Sequence, residues 1–184
     1  MTTVFIAGSR HIKHLDRKVK ERIDNIVSSD LNVIVGDSDG VDASVQSYLA
    51  EKSARKVVVY CSGDRPRNNI GDWPICKVDT DLSPGSRAFF TAKDIKMAET
   101  GDYGLMIWDT KSTGTLSNVI ELLKRKKKTV VFINKDKNFK TVSDIQNFED
   151  LVMVMSESAR IKADQKIKLF HSINILRSEQ FDLF

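Results

Sequence analysis

Residues 101–123 constrain the fold more than any other stretch. Tyr103 to Trp108 is a short apolar run of the kind that forms a buried strand. Leu116, Val119, Ile120 and Leu123 then recur at the three-and-four spacing of one helix face. Between them, Asp109 to Thr115 is a hydroxyl-rich turn containing Gly114. A helix start leaves four backbone N–H groups without an intrahelical partner and carries about half a positive charge. Such a turn suits an anion such as phosphate, with Gly114 letting it approach the backbone. Plain capping by Ser112, Thr113 or Thr115 accounts for the same residues.

The rest of the chain repeats the alternation. Thr3 to Ala7 is an apolar strand pattern ended by Gly8-Ser9-Arg10, and Leu15, Val19, Ile23, Ile26 and Val27 mark a helix over about 16–29. Leu31 to Val35 is a second strand, ended by Gly36-Asp37-Ser38-Asp39-Gly40-Val41-Asp42. Val41, Val45, Tyr48 and Leu49 belong to the next helix, and Lys56 to Cys61 is a third strand. Strand–helix–strand repeats need crossover connections, hence a parallel sheet with helices on both faces.

Ser62 to Gly85 breaks the pattern: it holds all three prolines and shows no clear periodicity, so it is either a functional lid or binding loop or a stretch that hides an unrecognised element. Ser86 to Glu99 is expected as a helix, and Thr129 to Asn134 as a fifth strand. Lys124 to Lys128 has the ordinary explanation of a solvated helix end, where cations suit the negative dipole. Beyond Asn134 the pattern predicts a short helix over 144–150, a short strand over 151–155 and one long helix over 156–177. That last helix packs either across the sheet edge or on a second copy, so a homo-oligomer is left open. The expected architecture is α/β: a three-layer Rossmann-like core over 1–134, with a five-stranded, mainly parallel sheet. A mainly helical C-terminal extension over 135–184 packs on the same domain.

Composition narrows the function classes. No apolar run approaches the roughly 20 residues of a membrane span. The N-terminus enters a strand pattern directly, without a basic leader, so a cytoplasmic protein is expected. Cys61 and Cys76 lack metal-ligand spacing, and the three histidines form no metal or triad pattern. The formal charge of +4 permits an anionic ligand without demanding nucleic acid, which is not expected as a partner.

Ligands of open parallel sheets sit beyond the carboxyl ends of the strands, where strand order reverses. With the order 3-2-1-4-5, three unusual loops converge there: Gly8-Ser9-Arg10, Gly36 to Asp42, and Asp109 to Thr115. Arg10 could clamp phosphate bidentately or form a surface ion pair. Asp37, Asp39 and Asp42 would repel phosphate; they suit ribose hydroxyls, a divalent cation or helix capping. Asp109 is the best-placed functional carboxylate, and Arg87 and Lys93 are candidates for the same cleft. Trp108 fits either the core or a stacked base. Neither a P-loop nor a complete G-x-G-x-x-G is present.

Val4-Phe-Ile-Ala-Gly-Ser-Arg10, Val33-Ile-Val-Gly-Asp-Ser-Asp-Gly-Val-Asp42 and the Gly114-Thr115 helix start together resemble the SLOG superfamily of Rossmann-like nucleotide-binding proteins. That group includes the Lonely Guy phosphoribohydrolases, the molybdenum-cofactor carrier proteins and the DNA-processing proteins. The resemblance spans residues 3–134. It implies that Gly8, Ser9, Arg10, Gly36, Asp37, Gly40, Asp42, Ser112, Thr113, Gly114, Thr115 and Asn118 bind a phosphoribose-type ligand. The phosphoribohydrolases carry G-G-x-G-T-x-x-E, whereas Asn118 stands here at the glutamate position. An amide cannot act as a carboxylate base. The expected function is therefore a sensor or carrier of a nucleotide or nucleotide-derived ligand. The alternative is an N-glycosidic hydrolase or transferase in which Asp109 takes the catalytic place. The layout is also similar to nucleoside deoxyribosyltransferases, with no residue assigned as their nucleophile.

Overall fold

A computed structural model describes residues 1–181. Its strands are β1 (Thr3–Gly8), β2 (Asn32–Gly36), β3 (Val57–Ser62), β4 (Ile75–Val78), β5 (Tyr103–Trp108), β6 (Thr129–Ile133) and β7 (Asn138–Val142). The helices are α1 (Arg17–Ser28), α2 (Val41–Glu51), α3 (Arg87–Thr100), α4 (Thr113–Lys124), α5 (Ile145–Val152), α6 (Glu157–Ile167) and α7 (Leu169–Phe181). The strands form one sheet in the order β4-β3-β2-β1-β5-β6-β7, parallel throughout except for β7 against β6.

The α/β class stands, and the expected five strands become seven. Both additions are edge strands, whose side chains need not be apolar. In β4, Ile75 and Lys77 are exposed and Cys76 and Val78 only half-buried, so no buried run marks it. It lies within the proline-bearing segment, where the Pro74 carbonyl accepts the Val59 N–H at 3.0 Å and seats it beside β3. The polar strand β7 turns back from β6 through a short loop with Lys137 at φ 53°.

Two C-terminal expectations are also corrected. Residues 151–155 are not a strand: α5 runs through Val152, and the chain then turns, with Met155 N–H on the Val152 carbonyl at 3.1 Å. The expected long helix is two helices, because Lys168 adopts the left-handed conformation, φ 51°. Asp164 stabilises the break from both sides. Its carbonyl accepts the Lys168 N–H, and its carboxylate accepts the Phe170 N–H at 2.9 Å.

Alternation along the central strands sets the layers. Val4 and Ile6 of β1 face the cluster built with α1 and α2, while Phe5 and Ala7 face the cluster of α3, α4 and the C-terminal helices. Fully buried Phe5, Trp108 and Phe132 each contribute on the order of 1.5–3 kcal/mol of hydrophobic stabilisation. The chain runs outward from β1 to β4, then returns through α3 to place β5 on the other side of β1. Strand order thus reverses between β1 and β5, which opens a crevice beyond their carboxyl ends.

Candidate functional site

That crevice holds a cavity of about 830 Å³, walled by the β1 and β5 loops, the starts of α3 and α4, and α6. The size falls within the ordinary range for small-ligand sites. Gly8, Arg10, Asp42 and Asp109 line it, as do Ser112 to Thr115 and Asn118.

The start of α4 is built by local hydrogen bonds. Asp109 Oδ1 accepts the N–H groups of Lys111 at 2.9 Å and Ser112 at 2.7 Å, closing a turn that holds Thr110 at φ 66°. A β-branched residue in the left-handed region is a local strain. The Ser112 hydroxyl is the N-cap, accepting the Thr115 N–H and hydroxyl at 3.4 and 3.1 Å. Thr113 receives the Arg87 guanidinium at 3.1 Å. Capping and cavity lining therefore coexist at these residues. A Cβ added at Gly114 would meet no atom within 4 Å, so the first turn is open to the cavity. One turn on, Asn118 lines the cavity while only 6% exposed.

Ser9 lies behind this surface. Fully buried, its hydroxyl accepts the Asp109 N–H at 3.0 Å and stands 3.5 Å from that of Thr115, and its carbonyl accepts the Ile12 and Val41 N–H groups. It ties the three loops together from inside. Gly8 and Gly40 serve the same junction. A Cβ on Gly8 would stand 2.2 Å from the Ile107 carbonyl, and one on Gly40, at φ 79°, would stand 2.2 Å from the Arg10 carbonyl.

Gly36 makes room for a buried ion cluster: its added Cβ would lie 2.4 Å from the Asp42 carboxylate and 2.6 Å from Lys93 Nζ. Lys93, 2% exposed, donates to Asp94 at 2.8 Å and stands 3.8 and 3.9 Å from Asp37 and Asp42. Asp37 does not face the cavity; Arg67 holds both its oxygens through guanidinium and backbone N–H. Burial works to raise the Asp37 carboxyl, but the Arg67 hydrogen bonds together with the Lys93 charge outweigh it and hold it below the usual range. Burial would lower the Lys93 ammonium, yet Asp94, Asp42 and Asp37 together raise it. Asp42 is different. Its burial outweighs the attraction of Lys93 and pushes the carboxyl up to about 6.

Trp108 is fully buried and donates its indole N–H to the Ser112 carbonyl at 3.1 Å, so it belongs to the core and not to a stacked base. Among the described residues no group of three or more His, Cys, Asp or Glu side chains is arranged to hold a metal ion. The cavity rim is cationic: Arg10, Arg87 and Lys111 are joined by exposed Lys162 and Lys166 of α6. No sequence signal marks these last two, because lysines four apart on a polar helix face are ordinary solvated surface. Phe90, beneath the Arg67 guanidinium at 4.5 Å, also lines the cavity.

No protein-family model matches the chain, and no curated protein does. Among solved structures, the fold is similar to DNA processing protein A from Helicobacter pylori, described for its single-stranded DNA binding mode. The TM-score is 0.55 at 19% identity, and the match covers 71% of this chain and 64% of that one. The likeness is one of fold, and it supports the Rossmann-like α/β architecture at that level. It overturns one expectation. The mild net charge argues against nucleic acid as a partner, yet a protein of similar fold binds single-stranded DNA. Net charge averages over a whole surface, whereas binding depends on where cations gather. No described helix is long and apolar enough to cross a membrane.

Proposed function

We propose that the chain binds a phosphate-bearing nucleotide at the start of α4, as a sensor or carrier. Gly114 carries this reading. A glycine within a helix costs about 0.5–1 kcal/mol relative to alanine. Here no neighbour occupies the space a Cβ would fill, so packing gives no reason for it. A ligand seated against the first-turn N–H groups supplies that reason, since phosphate needs close backbone approach. Asn118, buried at the cavity wall, adds an amide for a sugar or base. Arg10, exposed at the rim, is placed to close on the phosphate.

Titration calorimetry with nucleoside monophosphates tests this. Arg10→Ala should weaken binding by about 1.5–3 kcal/mol with little change in melting temperature. Unchanged affinity accompanied by a large loss of stability would make Arg10 structural.

A second reading, single-stranded nucleic acid, is favoured by the fold likeness together with Lys162 and Lys166, which extend the cationic rim beyond the α4 turn. Salt separates the two. Each strand phosphate neutralised adds about 0.7 to the slope of log affinity against log salt, so a strand gives a steeper slope than a mononucleotide. The glycosidic-hydrolase alternative has less support, because Asp109 already spends Oδ1 on its own turn and Asn118 replaces the carboxylate. A chromatographed incubation with a nucleotide panel should show no release of base; release would restore that alternative.

A further inference from the structure

We propose that the groove between α1 and α2 is a second anion subsite, so that the full ligand is a nucleotide chain with at least two phosphates. This rests on the reading of the α4 cleft as the first phosphate site. The groove is a separate depression of about 770 Å³. It meets the α4 cleft at Arg10 and His11, which line both. From there the chain continues directly into Lys13 and His14, both exposed and both lining the groove, and Lys20 joins them from α1.

This run of cations is mounted on fixed backbone. Ile12, in its middle, is buried and donates its N–H to the Ser9 carbonyl at 3.2 Å. The Ser44 hydroxyl donates to the Lys13 carbonyl at 2.8 Å, fastening the loop to α2. On the inner side Gly40 allows the Arg10 backbone to pass where any side chain would collide. Holding the loop this way reduces the ordering cost of binding a chain along it. Lys20 lies over the Tyr48 ring, 5.2 Å from its centroid, which steadies its ammonium at the groove floor. Asp39 and Glu51 also line the groove, and Asp39 is engaged by the Asn68 amide at 3.2 Å. Three cations and two histidines thus face two carboxylates. Arg10 stands at the saddle between the depressions, where a chain crossing from one to the other must pass.

Calorimetric titration of thymidine 5′-monophosphate and of the 5′-phosphorylated thymidine dinucleotide into the full chain tests this, using wild type and the double variant Lys13→Ala/His14→Ala. The substituted side chains are exposed, so the fold should survive. The dinucleotide should bind wild type about tenfold more tightly than the monophosphate, the gain expected for one added charge-assisted contact. The double variant should lose that gain and keep monophosphate affinity. A dinucleotide no tighter than the monophosphate, or a gain that survives the double variant, overturns the second subsite alone. Failure of wild type to bind either nucleotide overturns the α4 cleft reading and the subsite with it.

Discussion

At Gly114 and Asp42 local physics is set against stability. Gly114→Ala should stabilise the free protein by about 0.5–1 kcal/mol, because open space surrounds the site and helix formation favours alanine. The same methyl should stand between phosphate and backbone, so nucleotide affinity should fall. A variant both more stable and equally tight in binding would leave the glycine without its proposed reason. Asp42 makes the opposite kind of statement. Its carboxyl titrates near 6 in the folded chain against an ordinary 3.8, so across that window the folded chain holds a proton the unfolded chain has lost. The contribution of Asp42 to stability therefore falls as pH rises from 3.8 to about 6, and the cost is complete above it. Asp42→Asn removes the charge at nearly constant shape. Its stability relative to wild type should rise between pH 5 and 7.5 by about 1.4 kcal/mol, the part of the linkage that lies above pH 5. Denaturant melts at the two pH values measure this double difference. A variant that loses ground at pH 7.5 would mean that the Lys93 pair is net stabilising. The place of Gly114 at a helix start is legible in the sequence, whereas the burial of Asp42 beside Lys93 is not. Ser9, Gly36 and Gly40 looked like ligand-facing loop residues, and they turn out to build the wall. A glycine's reason lies in what stands opposite its missing Cβ, and for Gly36 that is Lys93 from a distant helix.

Elements with strong periodicity were legible, and those held by their surroundings were not. The strands β1, β2, β3, β5 and β6 are apolar runs buried on both faces, a pattern that only a sandwiched parallel strand requires. The edge strands β4 and β7 lack that constraint and leave no comparable trace. The segment between β3 and α3 illustrates the same division. Its aperiodic sequence is ordered by contacts from elsewhere: Gln46 receives the Ile70 N–H at 2.9 Å and donates to the Gly36 and Asn68 carbonyls, while Arg67 locks onto Asp37. The α6–α7 break is another such case, since helical propensity alone carries through Lys168. Lys168→Gly should raise stability by about 0.5–1 kcal/mol, because glycine enters the left-handed region without the steric cost of a Cβ. A thermal melt that moves down instead would show that the Lys168 side chain contributes more than its backbone conformation costs.

At the scale of the whole molecule, sheet order decides where chemistry can occur. The reversal between β1 and β5 brings together loops far apart in sequence, and Ser9 bridges them from within. The order 3-2-1-4-5 is the usual one for a doubly wound sheet, and the observed β3-β2-β1-β5-β6 matches it, which puts the cleft between β1 and β5. The contribution of α6 is not legible in this way, because Lys162 and Lys166 reach the rim only through a C-terminal path that no motif announces. The most direct measurement is an amide NMR titration with a nucleoside 5′-monophosphate, which reads ligand position without any substitution. The largest saturable shifts should fall on the N–H groups of Thr113 and Gly114, which the Ser112 cap leaves free, with smaller ones at Arg10 and Asn118. Shifts centred on another edge of the sheet, or none at millimolar nucleotide, would contradict a phosphate seat at the start of α4.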